Sequence, residues 1–256
     1  MRRKKVIQIR MIGAVMLLLA MLICGCGKSS AAKQVDELIL KIGTVTNESG
    51  DKIEEAEKKY DALTENQKDE VENYAVLKEA REDFNNINIQ AQIEEKIDEL
   101  SKKDVRKQSD IEELENLYSK LSDEQKANVN DGKGIDPVIQ LTDIEKCALS
   151  AVKTLKSNLK NGDSLTLDSI EVATGNSKAI SPYYVLIEYS ASNSYGGTLD
   201  DTATIDIGDD FESKWWSMSV LLGGLDENEL LLYSDYLKNA DKKYDVDCER
   251  IEANMN

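Results

Sequence analysis

Residues 51 to 71, "DKIEEAEKKYDALTENQKDEV", align without gaps on residues 109 to 129, "SDIEELENLYSKLSDEQKANV", with nine of 21 positions identical at a shift of 58. A duplicated unit restricts the fold strongly, because both copies must bury the same apolar positions in the same local geometry. The match extends upstream, where Val35, Ile39 and Ile42 fall opposite Ile93, Ile97 and Leu100. Asp51 with Glu54, Ser109 with Glu112, Thr64 with Gln67 and Ser122 with Gln125 have the spacing of capping boxes, two matching helix starts per copy. Ile53, Ala56, Tyr60 and Leu63 recur at helical spacing, mirrored by Ile111, Leu114, Tyr118 and Leu121. Each copy is therefore expected to be three short helices closing into a bundle, because one apolar stripe per helix cannot be buried alone. The second and third helices are expected to meet in a tight turn at Leu63-Thr64 or Leu121-Ser122. The third helix of the first copy can run on through Phe84 and Ile87 into the second copy, with Asn85-Asn86 as its weak point.

This stretch resembles helical repeats of surface proteins and lipoproteins of Gram-positive bacteria, with the patterns "IGxVTxxS" and "AxxxYxxLTxxQKxxVxNYxxL". The first copy keeps them as Ile42, Gly43, Val45, Thr46, Ser49, Tyr60, Leu63, Thr64, Gln67, Lys68, Val71, Asn73, Tyr74 and Leu77. The second keeps Tyr118, Leu121, Gln125, Lys126 and Val129 but has "DG" in place of "NY", so its third helix is expected to end early at "NVNDGKG". The resemblance implies a spacer or interaction role, and the tyrosines are expected in the core.

The chain opens with Arg2, Arg3, Lys4 and Lys5, followed by an uncharged apolar run from Met11 to Cys24, which is the layout of a signal peptide. The run has 14 residues, shorter than a membrane span requires. Cleavage needs a small residue before the cut, and Gly25 before Cys26 meets that need where Ile23 before Cys24 does not. "ICGC" then resembles the lipobox of bacterial lipoproteins, which implies a diacylglyceryl anchor on Cys26 and places the protein on the outer face of the cytoplasmic membrane. Two acyl chains on one thiol anchor stably where one does not. After the cut the chain carries 27 basic and 49 acidic side chains, a net charge of −22. Such a chain does not bind nucleic acid, and its own charge does not draw it to anionic lipid.

Beyond the repeats the period changes. Asp136-Pro137 suits the start of a helix, and Leu141, Ile144, Ala148, Ala151, Val152, Leu155 and Leu159 keep one face apolar. Leu165 and Leu167, then Ile170 and Val172 after a slip of one residue, predict a strand with a bulge near Asp168. Tyr183, Val185, Ile187, Tyr189 and Ala191 alternate, "SNSYGGT" supplies a turn, and Ala203, Ile205 and Ile207 begin a third strand. Trp216, Met218, Val220 and Leu222 suit a fourth, a helix is expected from about Glu227 to Ala240, and "YDVDCERI" fits strand or helix. The fold class expected is α+β overall: two tandem three-helix repeats, then an α+β domain with an antiparallel sheet packed on a helix. The segments are a leader at 1–25, a linker at 26–32, repeats at 33–90 and 91–136, and the α+β domain at 137–256. "LKSNLKNGDSL" with "YYVLIEYSASNSYGG" resembles a recurrent domain of Gram-positive lipoproteins and phage-associated proteins, with the pattern "YSAxNxxGG", for which the resemblance implies no chemistry.

The chain contains no histidine. Ser-His-Asp and Cys-His nucleophiles, histidine zinc sites and histidine acid-base catalysis are therefore excluded. Ser150 to Lys153 fits S-x-x-K, but no K-T-G follows and the domain is too small for a penicillin-binding fold. Asp206, Asp209, Asp210 and Glu212 crowd a hairpin tip without the spacing of a calcium loop, so a solvated turn is expected, with no metal or cofactor. Cys147 and Cys248 are the thiols that remain, open either to a disulfide or to burial as free thiols. Seven of ten tyrosines and both tryptophans lie beyond residue 180. Tyr195 in its turn with Gly196 and Gly197, and one of Trp215 and Trp216, are expected to be exposed, as binding anchors are, with Trp215 covering the sheet's outer face or packing under the C-terminal helix as the favoured reading of that residue. The sequence thus points to a lipid-anchored binding protein for an unknown surface protein, peptide or wall polymer, not to an enzyme. A wall-directed hydrolase using carboxylates and a structural or phage-excluding surface protein are the alternatives.

Overall fold

The structure, a computed structural model, describes residues 28–174, 181–193, 195–218 and 239–255, with the side chains of 215–218 left aside. The leader, Cys24 and Cys26 and most of the helix expected over 227–240 lie outside the described residues. A helical N-terminal region is followed by a five-stranded antiparallel sheet packed against a helix, α+β overall. The chain divides into two compact units at Arg81 and Glu82.

The first unit contains α1 (Ser30–Ile42), α2 (Gly50–Asp61), the single turn α3 (Glu65–Lys68) and the start of α4 (Tyr74–Leu100). Neither glycine nor proline interrupts α4, and it runs unbroken through Asn85 and Asn86. The second unit continues with α5 (Gln108–Ser119), α6 (Asp123–Lys126), a 3-10 turn at Val129–Gly132 and α7 (Asp136–Ile139). The duplication keeps its apolar register at nine matching positions. Val35, Ile39, Ile42, Ile53, Ala56, Leu63, Val71, Leu77 and Ala80 are buried in the first copy, and Ile93, Ile97, Leu100, Ile111, Leu114, Leu121, Val129, Ile135 and Val138 in the second. The last two pairs lie beyond the point where the sequence match fades. The shift of 58 therefore survives the replacement of "NY" by "DG", although Asn130 and Asp131 turn left-handed there, with φ of 53° and 54°.

Three expectations about the repeats need correction. Thr64 with Gln67 and Ser122 with Gln125 do form capping boxes, but Asp51 and Ser109 lie inside the first turns of α2 and α5, which begin after Ser49 and Lys107. The third helix expected in the first copy is split into the single turn α3 and α4, with three-residue turns through Val71 between them, whereas in the second copy α6 ends early as expected. Tyr60, Tyr74 and Tyr118 are half-buried rather than core. Tyr60 and Tyr74 stack with ring centroids 4.0 Å apart, with Lys68 and Lys78 over their outer faces, so the rings close the rim of the bundle.

The helix expected from Asp136 is two helices. Thr142 and Glu145 form a capping box that starts α8 (Asp143–Asn158) afresh after α7. Against the apolar face of α8 packs the sheet, β1 (Thr166–Thr174), β2 (Tyr183–Ser192), β3 (Thr198–Ile207), β4 (Ser213–Met218) and β5 (Lys242–Val246), in the order β4-β3-β2-β1-β5 with every neighbour antiparallel. The bulge falls at Asp168, where the register shifts between Leu167 and Ser169. "YDVDCERI" is both strand and helix: β5 ends at Val246 and α9 (Cys248–Glu252) follows. Cys147, Ala151 and Val152 of α8 meet Val172, Val185, Ile187, Ile205 and Val246 in one core, with Ile251 of α9.

A buried polar knot joins the second repeat to this domain. Glu145 is fully buried, accepts from the Arg106 amide at 2.7 Å and the Thr142 amide at 2.9 Å, and lies 3.8 Å from Arg250 Nε. The Arg106 side chain donates to the carbonyls of Leu100, Val138 and Gln140, and Arg250 to that of Ile139. Burial pulls the Arg106 guanidinium below its usual pKa, and Glu145 opposes that pull.

Candidate functional site: the tip of the β2–β3 hairpin

β2 and β3 pair along their whole length, from Tyr183 opposite Ile207 to Ser192 opposite Thr198. Asn193 and residues 195–197 therefore lie at the tip. Asn193 organises it: its Oδ1 accepts from the amides of Tyr195 at 2.9 Å and Gly197 at 3.0 Å, its amide donates to the Gly197 carbonyl at 2.8 Å, and its carbonyl accepts from Gly196. This is the asparagine turn that mimics backbone hydrogen bonding. Gly196 has φ of +83°, a conformation that a side chain would strain. Held in this way, the Tyr195 side chain is 96% exposed, with Leu199 at 39% on the neighbouring strand.

The stem is braced from below. The Tyr189 hydroxyl reaches Asp201 Oδ2 at 3.4 Å across the hairpin, and burial, reinforced by Asp201, pushes its pKa up to about 12. The Ser192 amide donates to Ser164 Oγ at 2.8 Å, tying the hairpin to the turn before β1. Asn193 is the asparagine of the "SNSYGGT" turn, whereas Asp201 and Leu199 carry no signal of their role in the sequence.

The other candidates are scattered. Trp215 and Trp216 stand on β4 opposite Asp206 and Ile205, and their side chains lie outside the described residues. In the next hairpin, Asp210 accepts from the Glu212 amide and pairs with Lys214 at 2.6 Å, which is the work of a turn. Phe211, at φ of +60°, is held by stacking on Tyr183 and by Lys146 over its ring. Asp206 on β3 lacks a hydrogen bond at Oδ1 among the described residues, and burial pushes its pKa up to about 6. No three acidic or cysteine side chains among the described residues form a group able to hold a metal ion. Cys147 and Cys248 are free thiols, the first pushed up to about 12 by burial and the second raised by burial and its acidic neighbours.

Two open clefts accompany these features. One of about 450 Å³ is lined by Asp104, Arg106, Gln140, Thr142 and Tyr244 beside the polar knot. The other, about 550 Å³, surrounds the β1 bulge with Asp168, Glu171, Glu188, Asp245 and Asp247. Three of those five carboxylates already have partners: Glu188 accepts from Ser169, Glu171 faces Lys243 and Asp247 accepts from the Gln108 amide. Comparison with known proteins returns no match: no family model, no curated protein and no solved structure matches this chain.

Proposed function

We propose that this chain is a lipid-anchored binding protein, held on the outer face of the cytoplasmic membrane through Cys26, with the helical repeats as spacer and the α+β domain as its recognising end. The observation that supports this reading is Tyr195. A large aromatic ring left almost wholly in water, on a tip whose backbone is tied back on itself, offers contact area with little ordering left to undergo on binding. Leu199 extends the apolar surface, and Asp200 beside it adds negative charge. The partner is accordingly a basic or neutral surface protein, peptide or wall polymer, and binding to a basic one weakens with salt.

The test uses the full lipidated chain against cell-wall fragments and detergent-solubilised surface proteins. Tyr195→Ala should weaken capture about 30-fold, the size of a hot-spot loss, with the melting temperature unchanged. Undiminished capture by Tyr195→Ala refutes the assignment. Release of soluble wall fragments that survives Tyr195→Ala and is lost in Asp206→Asn replaces binding by hydrolysis.

A further inference from the structure

The chain reaches α1 already fastened to its own bundle. The Ser29 amide donates to Glu70 Oε2 at 2.7 Å, and its hydroxyl accepts from the Ala32 amide at 3.3 Å as the cap of α1. Lys28 is paired with the Asp36 carboxylate, and its Nζ lies 3.5 Å from Glu72. Burial alone would lower the Lys28 pKa, but Asp36 outweighs it and raises it. Asp36 in turn accepts from the Asn73 amide at 2.9 Å. One turn, residues 69–73, thus meets Ser29 through Glu70, Lys28 through Glu72 and the middle of α1 through the Asn73 amide on Asp36.

We infer that the end of the first bundle built from Lys28, Ser29 and the 69–73 turn is a membrane-apposed face, seated against lipid headgroups as a rigid mount. The inference rests on the reading of Cys26 as the lipid-bearing residue. Only Gly27 then separates the acylated cysteine from the fastened Lys28. Two residues of extended chain span at most about 7 Å, roughly the depth of one headgroup layer. The turn that grips Lys28 therefore lies at the bilayer surface. The short covalent link, not charge, seats this end, because residues 28–81 carry nine basic against thirteen acidic side chains and Asp69, Glu70 and Glu72 of the turn are themselves acidic. The Ser29 hydrogen bonds hold the Glu70 carboxyl below its ordinary 4.5. A depressed acid contributes its stabilisation above that ordinary value and loses it as pH falls through the folded one, so the clamp stays closed at neutral pH.

The experiment places a fluorophore, through an azido amino acid, at exposed position 69 or 47 of the full lipidated chain in phosphatidylglycerol–phosphatidylcholine vesicles containing headgroup-nitroxide lipid. Quenching should be about threefold stronger at 69 than at 47, because the 13 residues of α1 carry the far loop about 20 Å away. Lys28→Ala with Glu70→Ala should remove most of that contrast while the helical circular dichroism stays. Equal quenching at 69 and 47 in the parent chain overturns the mount. A second preparation, starting at Cys26 with Cys147→Ser and Cys248→Ser and coupled chemically to a maleimide lipid, separates the two ideas. Contrast there without acylation in cells refutes the anchor reading alone, whereas no contrast there refutes the mount itself.

Discussion

Residues 43–49 of the first repeat and 101–107 of the second join equivalent helices, yet they satisfy their backbone groups from different places. In the first copy everything is local: Gly43 ends α1 at φ of +65°, Ser49 Oγ accepts from the Thr46 amide at 3.0 Å, and the Ser49 amide returns to the Thr46 carbonyl. In the second, Arg106 takes the carbonyl at the end of α4, its amide goes to Glu145, and the first amide of α5 goes to Asp247, 139 residues away. The nine buried positions are nevertheless the same in both. A duplicated bundle can thus keep its apolar register while one copy hands its polar ends to a neighbouring domain. Packing depends on volume at fixed positions, and loop groups need only some partner of the right geometry.

Breaking the knot should separate the two copies most clearly. Glu145→Ala leaves the Arg250 guanidinium buried without its carboxylate and the Arg106 amide without its acceptor, so the unit spanning 82–255 should lose about 3–5 kcal/mol. Amide exchange read residue by residue should show that loss over 93–138 and in the sheet, with protection over 28–81 unchanged. Equal loss in both regions would contradict the contrast.

A smaller effect should be shared by the copies. Asp36 accepts from the Asn73 amide, and at the matching position Glu94 accepts from the Asn130 amide at 2.7 Å. Asp36→Ala and Glu94→Ala should each cost about 1–3 kcal/mol, the desolvation of an amide left unpaired. Denaturant melts of the two variants should therefore show similar shifts; a silent Glu94→Ala would mean that the second copy has lost this device.

The smallest effect should again be one-sided. Lys96 bridges Asp110 at 3.1 Å and Glu113 at 2.6 Å in the second copy, where the first has Leu38 opposite Lys52 and Glu55. Burial would raise the Asp110 pKa, but Lys96 and Lys103 outweigh it and hold it below 3.8. That stabilisation is present above 3.8 and is lost as pH falls through the folded value. Asp110→Asn should cost up to about 1 kcal/mol at pH 7 and nothing near pH 2, as thermal melts across that range would show.

At the hairpin, the exposure of Tyr195 could be anticipated from a turn with two glycines, and the bulge at Asp168 from a slip in alternation. The bracing pair Tyr189 and Asp201 could not, because it depends on which residues meet across two strands. The Thr142 capping box was written in the chain as T-x-x-E, but a continuous apolar face hid the break before it.

What the sequence determined alone is what acts over a few residues: the capping boxes at Thr64 and Ser122, the 3.6-residue stripes repeated at a shift of 58, and the alternation of β2. Tertiary structure alone decided where α5 starts, that the repeat tyrosines are half-buried, and that Glu145 is buried against the Arg106 amide and the Arg250 guanidinium. The physical reason is range. A cap or a stripe lowers the energy of its own turn and is legible wherever it occurs, whereas the Asp247 cap on Gln108 exists only after β5 has joined the sheet beside β1.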